Sequence, residues 1–141
     1  MPDFPITGSC LCGRVRFEIS APPFDAGYCH CTRCQARTGS GSSAQARIDG
    51  RTFRFLEGED LVKAWRSSSG FEKGFCGECG AHLFARNPDD PTQMSIRMSA
   101  FETDPGVRPS FRAFTAYAAE WEPIPDDGLE RLPEGKPRPQ L

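Results

Sequence analysis

Polar and apolar positions alternate in short runs separated by turn residues. Arg14-Val15-Arg16-Phe17-Glu18-Ile19 alternates polar and apolar, which predicts a strand with Val15, Phe17 and Ile19 facing inward. Ala21-Pro22-Pro23 stops it, and a short strand over Ala26–Tyr28 delivers the chain to Cys29. Thr32–Thr38 predicts a short helix ended by Gly39. Strands follow at Ala44–Ile48, Thr52–Leu56 and Leu61–Ser67, separated by Asp49-Gly50, a hairpin signal, and by Gly58-Glu59-Asp60. Further strands are expected at Phe71–Phe75, Ala81–Ala85, Gln93–Ser99 and, last, Phe111–Thr115. Residues 1–8 read as a lead-in. Ser40–Ser43 reads as a flexible loop, with the wall of a substrate pocket as the alternative. No internal repeat of about 20 to 50 residues appears.

Composition supports this all-β reading. A chain of 141 residues suits one domain, and 38% hydrophobic residues make a small core that gains from a staple. Gly 14 and Pro 13 favour short strands and many turns, while 11 Phe supply most of the large apolar side chains. Residues 1–125 are expected to form a single zinc domain, with 126–141 as a Pro-, Gly- and charge-rich tail, mobile over Gly135–Leu141. No apolar run approaches the roughly 20 residues of a spanning helix, so no membrane partner is expected. Met1-Pro2-Asp3-Phe4-Pro5 lacks the basic and apolar regions of a signal peptide, which points to a cytoplasmic, reducing home. A net charge of −2 argues against nucleic acid as a partner. Arginine outnumbers lysine 14 to 3, so local Arg pockets for carboxylates are open.

The seven cysteines all fall in tight clusters: Cys10 and Cys12, Cys29, Cys31 and Cys34, and Cys76 and Cys79. Seven is odd, so disulfides alone cannot use them all, whereas metal can if they divide into four and three. Cys12, Cys76 and Cys79 are each followed by Gly, whose freedom to take positive φ suits a metal knuckle. Cys29, Cys31 and Cys34 are not. That asymmetry pairs Cys10 and Cys12 with Cys76 and Cys79 as a closed, structural zinc site. It leaves Cys29, Cys31 and Cys34 one ligand short, the arrangement of catalytic zinc. Three thiolates make zinc a weak Lewis acid that favours a soft ligand such as a substrate thiol, which it keeps ionised and nucleophilic. The trio also admits completion by His30 or His82, or no metal at all, and Cys76–Cys79 admits a redox role. No general acid or base stands out beyond the candidates Tyr28, His30 and His82; Arg33 and Arg37 read as solvated or as substrate contacts.

With these residues in view, the sequence resembles the glutathione-dependent formaldehyde-activating enzyme family, whose domain centromere protein V shares. The matching pieces are Gly8-Ser9-Cys10-Leu11-Cys12-Gly13-Arg14-Val15-Arg16-Phe17, Cys29-His30-Cys31-Thr32-Arg33-Cys34-Gln35 with Gly39, and Phe75-Cys76-Gly77-Glu78-Cys79-Gly80-Ala81-His82-Leu83. The resemblance covers roughly residues 6–125. It implies an all-β, tent-like fold of short antiparallel strands stapled by zinc, with one short helix after the CxCxxC motif. It implies two zinc ions per chain, a structural one on Cys10, Cys12, Cys76 and Cys79 and a catalytic one on Cys29, Cys31 and Cys34. The implied activity is that of a carbon–sulfur lyase that adds glutathione, or another small thiol, to formaldehyde or a similar aldehyde. The alternative is a non-catalytic zinc module that binds a protein partner. The segment Ala118-Ala119-Glu120-Trp121 lacks the Lys and Pro of the family's Lys-Ala-Pro-Trp run, so no substrate contact carries over there.

Overall fold

A computed structural model describes residues 2–68, 70–139 and 141. Two sheets share the work of covering the core. A three-stranded antiparallel sheet is built from β1 (Ile6–Ser9), β2 (Arg16–Ile19) and β5 (Phe53–Glu57), with β2 in the middle. The second sheet has eight strands, in the order β11 (Glu130–Arg131), β10 (Phe111–Ala113), β3 (Asp25–Cys29), β4 (Ser43–Asp49), β9 (Asp90–Arg97), β8 (His82–Asn87), β7 (Glu72–Cys76) and β6 (Val62–Trp65). Its pairs are antiparallel except at β10, which runs parallel to both β3 and β11. The one α-helix among the described residues, α1 (Thr32–Thr38), follows closely after β3. The all-β expectation with one short helix holds.

The core lies between the sheets. Val15, Phe17 and Ile19 are fully buried, as their alternation predicts, and meet Ile48, Leu83, Phe84 and Ile96 of the larger sheet. Phe17 stacks on Phe53 at 5.2 Å, and Phe53 and Phe55 both reach Phe84, at 5.7 and 6.1 Å. Each fully buried Phe of this chain contributes about 2–3 kcal/mol by leaving water. Two close approaches need glycine. Gly27 faces Phe111 across the β3–β10 pair and Gly74 faces Phe84 across β7–β8, and a methyl on either would overlap the ring laid over it.

Several local expectations change. Asp49-Gly50 does not close a hairpin. The Asp49 carboxylate accepts from Arg51 N–H at 3.0 Å and caps a 3-10 turn over Gly50–Thr52. That turn carries the chain out of the large sheet, so β4 pairs with β3 and β9 while β5 pairs with β2. Within the lead-in, Ile6–Ser9 forms β1. The last predicted strand stops at Ala113, because Phe114 takes a left-handed φ of 56°. In the C-terminal segment Glu130–Arg131 pairs with β10, and within Gly135–Leu141, expected to be mobile, Lys136 Nζ reaches Asp25 at 3.1 Å and Arg138 donates to Ser95 Oγ at 3.0 Å and to the Met94 carbonyl at 2.7 Å.

Candidate metal centres and the cavity beside them

The four-cysteine cluster joins the two sheets. Cys10 and Cys12 lie in the turn between β1 and β2, and Cys76 ends β7. Both turns have the same internal plan. Cys10 N–H donates to the Val15 carbonyl and Cys76 N–H to that of Ala81, at 3.1 and 3.0 Å. Gly13 and Gly80 then bond back to Cys10 and Cys76 at φ values of 80° and 77°. Gly77 serves differently: its backbone is not left-handed, and its N–H bonds the Leu61 carbonyl at 2.8 Å, where a side chain would not fit.

The four sulfurs all lie within 4.8 Å of one another. Cys10 and Cys12 are 3.5 Å apart and Cys12 and Cys76 3.9 Å. A tetrahedron with zinc–sulfur distances of about 2.3 Å has edges of about 3.8 Å, so the donor set fits zinc. Val15 N–H donates to Cys10 Sγ at 3.3 Å, which against burial helps to lower the Cys10 pKa, and Glu78 N–H donates to Cys76 Sγ at 3.4 Å. Burial raises the Cys79 thiol, but the Ala81 and Cys12 N–H groups and the Cys76 and Cys12 sulfurs outweigh it and hold Cys79 at about 6.

Cys29, Cys31 and Cys34 form the second cluster, again with sulfurs within 4.8 Å. Cys29 is the last residue of β3, opposite Ser43. Cys31 is the N-cap of α1, and its Sγ accepts from Cys34 N–H at 3.3 Å. Gly39 closes the helix at φ 68°, donating to the Gln35 carbonyl at 2.9 Å. The end of β3 and the helix that follows it therefore set all three sulfurs. The Cys29 and Cys31 sulfurs pull Cys34 far below the usual thiol range, against burial and with help from the Ser43 hydroxyl and Arg97. Cys29 is correspondingly pushed up by Cys31 and Cys34. Negative charge thus gathers on Cys34, where a cation would offset it.

Neither histidine belongs to this cluster among the described residues. His30 turns to the other side of β3, where its Nε2 lies 3.2 Å from Arg112 Nη1. Burial, then Arg112, lowers its pKa. Arg112 also stacks on Tyr28 at 4.3 Å and pairs with Asp127 at 2.7 Å, so it clamps both neighbours of Cys29. His82 lines the adjoining groove, and burial first, then Arg37 and Arg97, lower its pKa against the pull of Cys34. Trp121 stands 70% exposed and is not among the residues that line the cavity.

The trio opens into a cavity of about 340 Å³. Cys29, Cys31 and Cys34 line it together with Arg33 and Arg37 of α1. Gln45, Arg47, Lys73 and Arg97 line it from the large sheet, and Phe114 from its left-handed turn. A wider groove of about 930 Å³, lined partly by Cys10, Arg37, Ser43, His82 and Arg97, lies alongside. Ser43 therefore belongs to a pocket wall rather than a free loop, and its hydroxyl donates to Gln45 Oε1 at 2.9 Å. The sequence reading named Arg33 and Arg37 but missed Lys73 and Arg97. Their signal was the polar half of the alternation in β7 and β9, opposite Gly74, Met94 and Ile96.

Fold and site define an all-β protein with two cysteine clusters that could each bind a metal ion. Residues 5–117 match the glutathione-dependent formaldehyde-activating enzyme family, and the chain belongs to it. A protein of Halomonas elongata named "Putative glutathione-dependent formaldehyde-activating enzyme" is 27% identical over 105 residues, covering 70% of this chain and 67% of that protein. A Rhodobacter sphaeroides protein of known crystal structure shares the fold, with a TM-score of 0.56 at 24% identity over 74% of this chain and 92% of that one.

Proposed function

We propose that the chain is a zinc-dependent enzyme that adds a small thiol, glutathione or one like it, to an aldehyde such as formaldehyde, and cleaves the same carbon–sulfur bond in reverse. The observation that carries this reading is the three-sulfur cluster at a cavity wall, with no fourth donor in it among the described residues. Cys10, Cys12, Cys76 and Cys79 would hold a closed structural zinc, and Cys29, Cys31 and Cys34 a second one facing the cavity. Bound there, that zinc supplies a positive centre that lowers the pKa of a substrate thiol.

The reaction forms one S–C bond, moves the thiol proton to the carbonyl oxygen, and oxidises nothing. Cys29, Cys31 and Cys34 act as ligands, not nucleophiles. Arg37, Arg97 and Lys73 place positive charge around Cys34, where they stabilise an anionic sulfur and the oxygen anion that develops at the carbonyl. Burial, followed by Arg37 and Arg97 acting against Cys34, lowers the pKa of Lys73, which suits it to pass a proton to that oxygen. A reducing cytoplasm keeps all seven cysteines free, as they are in the structure.

The test is thiol-dependent aldehyde consumption by wild type and Cys34→Ser, with zinc counted per chain. Wild type should carry two zinc ions. The variant should keep one and lose at least about 100-fold in rate, in line with removal of a group that stabilises developing charge. Equal rates in variant protein that retains the first zinc would overturn the reading.

A further inference from the structure

The large sheet buries one face in the core and turns the other toward the trio. On that second face the register aligns Lys73 with Ala85, Ala85 with Ser95, and Ser95 with Arg47. Gln45 and Arg97 form the adjacent pair. Arg33 and Arg37 add two cations from α1, and Lys136 and Arg138 two more from the C-terminal segment. No carboxylate lines the cavity among the described residues. Asp25 pairs with Arg47 at 3.6 Å and with Lys136 at 3.1 Å. Arg33, Arg37, Lys73, Arg97 and Arg138 have no carboxylate within 4.0 Å among the described residues.

A solvated basic face accounts for the exposed Arg33. It does not account for Arg37, Lys73, Arg97 and Arg138, which are half-buried with no carboxylate in contact; Cys34 is the anionic neighbour of the first three, and Asp25 and Asp90 act on Arg138 from further off. Withdrawing more cations from water than the cluster's sulfurs offset costs stability. Burial, with the Arg47 charge next, lowers Arg138 to about 10 against the pull of Asp25 and Asp90, so it stays charged. A surface kept at that cost in a chain of net charge −2 points to an anionic occupant. The occupant's charge is further constrained. Glutathione has two carboxylates but also an ammonium group, and the cavity wall offers nothing anionic to receive it except the cysteine sulfurs.

We propose that the cavity selects a thiol carrying two or more negative charges on carboxylate or phosphate groups and no amine, and that Lys136 and Arg138 help set this preference. This rests on the thiol-addition reading of the trio. The two cations lie beyond residue 117, where the match to the family ends, so the preference belongs to this chain's own C-terminal segment. The acid groups are carboxylates or phosphates, both of which guanidinium forks bind well.

Calorimetric titration of the intact zinc-loaded protein in a buffer free of phosphate and carboxylate tests charge selection apart from chemistry. S-methylglutathione and N-acetyl-S-methylglutathione differ only in the ammonium and carry no thiol. The acetylated probe should bind at least about ten-fold tighter, and the preference should shrink below about three-fold in Lys136→Met/Arg138→Met protein of unchanged melting temperature. Mercaptosuccinate and 2-mercaptoethyl phosphate then separate dicarboxylate from phosphate recognition, and one of them should outbind 2-mercaptoethanol. Equal or tighter binding of S-methylglutathione by wild type would overturn the proposal, as would neither acid thiol outbinding 2-mercaptoethanol. Aldehyde consumption is measured with N-acetylglutathione in parallel. No turnover alongside a retained ten-fold preference counts against the thiol-addition reading and leaves the charge selection standing.

Discussion

Cys12 and Cys76 are 64 positions apart in the chain, and their sulfurs lie 3.9 Å apart. Cys12 follows the first strand of the small sheet, and Cys76 ends a strand near the edge of the large one. The four-sulfur cluster therefore fastens one sheet to the other at the end of a modest core. The trio, in contrast, is fixed within a single stretch of β3 and α1 and fastens nothing distant. That difference separates the consequences of losing each.

Cys76→Ser should unfold the join. Metal bound only by the folded state contributes its binding free energy to stability. In a chain with its own core, a loss of about 3 kcal/mol or more is expected, lowering the melting temperature by about 10 °C. Zinc content should fall by one ion per chain. Thermal melts followed by circular dichroism, with metal analysis of the same sample, check this.

Much of this layout was legible from residue order alone. The strict alternation at Val15, Phe17 and Ile19 gave β2, and the Thr32–Gly39 run gave α1 with its closing glycine. The two cysteine groupings also follow the chain's own punctuation, since Gly13 and Gly80 do adopt left-handed backbone beside their cysteines. What failed was non-local. Ile6-Thr7-Gly8-Ser9 offers one large apolar residue and no alternation to read, yet it is a strand because β2 lies beside it. Glu130–Arg131 is a strand only because β10 offers a free edge. Asp-Gly is a sound hairpin signal, but the Asp49 carboxylate found a local N–H first and turned the chain toward another sheet. The basic cavity was hidden for a similar reason: its cations come from α1, three strands and the C-terminal segment, and only the register collects them.

Gly74→Ala should destabilise the protein although it adds a single methyl. Gly74 is buried in β7 directly opposite Phe84, whose ring lies over the missing side chain and packs against Phe53 and Phe55. The methyl forces that ring out of the aromatic cluster. Overpacking of this kind costs about 1–3 kcal/mol. Urea denaturation should show a lower midpoint with an unchanged slope, whereas Gly128→Ala, where nothing lies within 4 Å and only the φ of 76° resists, should cost less.

Arg112 holds Tyr28 and His30 on either side of Cys29, and Asp127 holds Arg112. Arg112→Met should cost about 2 kcal/mol by leaving the buried His30 nitrogen unpaired. Asp127 adds a pH signature. The Arg112 guanidinium first, then the Leu129 N–H, hold its carboxyl below the ordinary aspartate value. A depressed folded value means stability that is present above the unfolded value and lost as pH falls through the folded one. Wild type should therefore lose more stability than Asp127→Asn between pH 6 and pH 3, read from urea midpoints at each pH.

Chelation should remove the two metals in a fixed order. Cys29, Cys31 and Cys34 offer three donors on a cavity wall, so a competing chelator can enter the remaining coordination position without first breaking a protein bond. Cys10, Cys12, Cys76 and Cys79 offer four, with Cys10 and Cys76 buried, and leave no such position. Zinc release, followed with a chromogenic chelator, should be biphasic with about equal amplitudes. The fast phase should abolish thiol-dependent aldehyde consumption while the far-ultraviolet spectrum stays unchanged, because the trio ties no distant elements together. The slow phase should coincide with unfolding. Cys34→Ser should lose the fast phase alone. A single phase in wild type, or unfolding with the first ion released, would reverse the assignment of structural and catalytic roles to the two clusters.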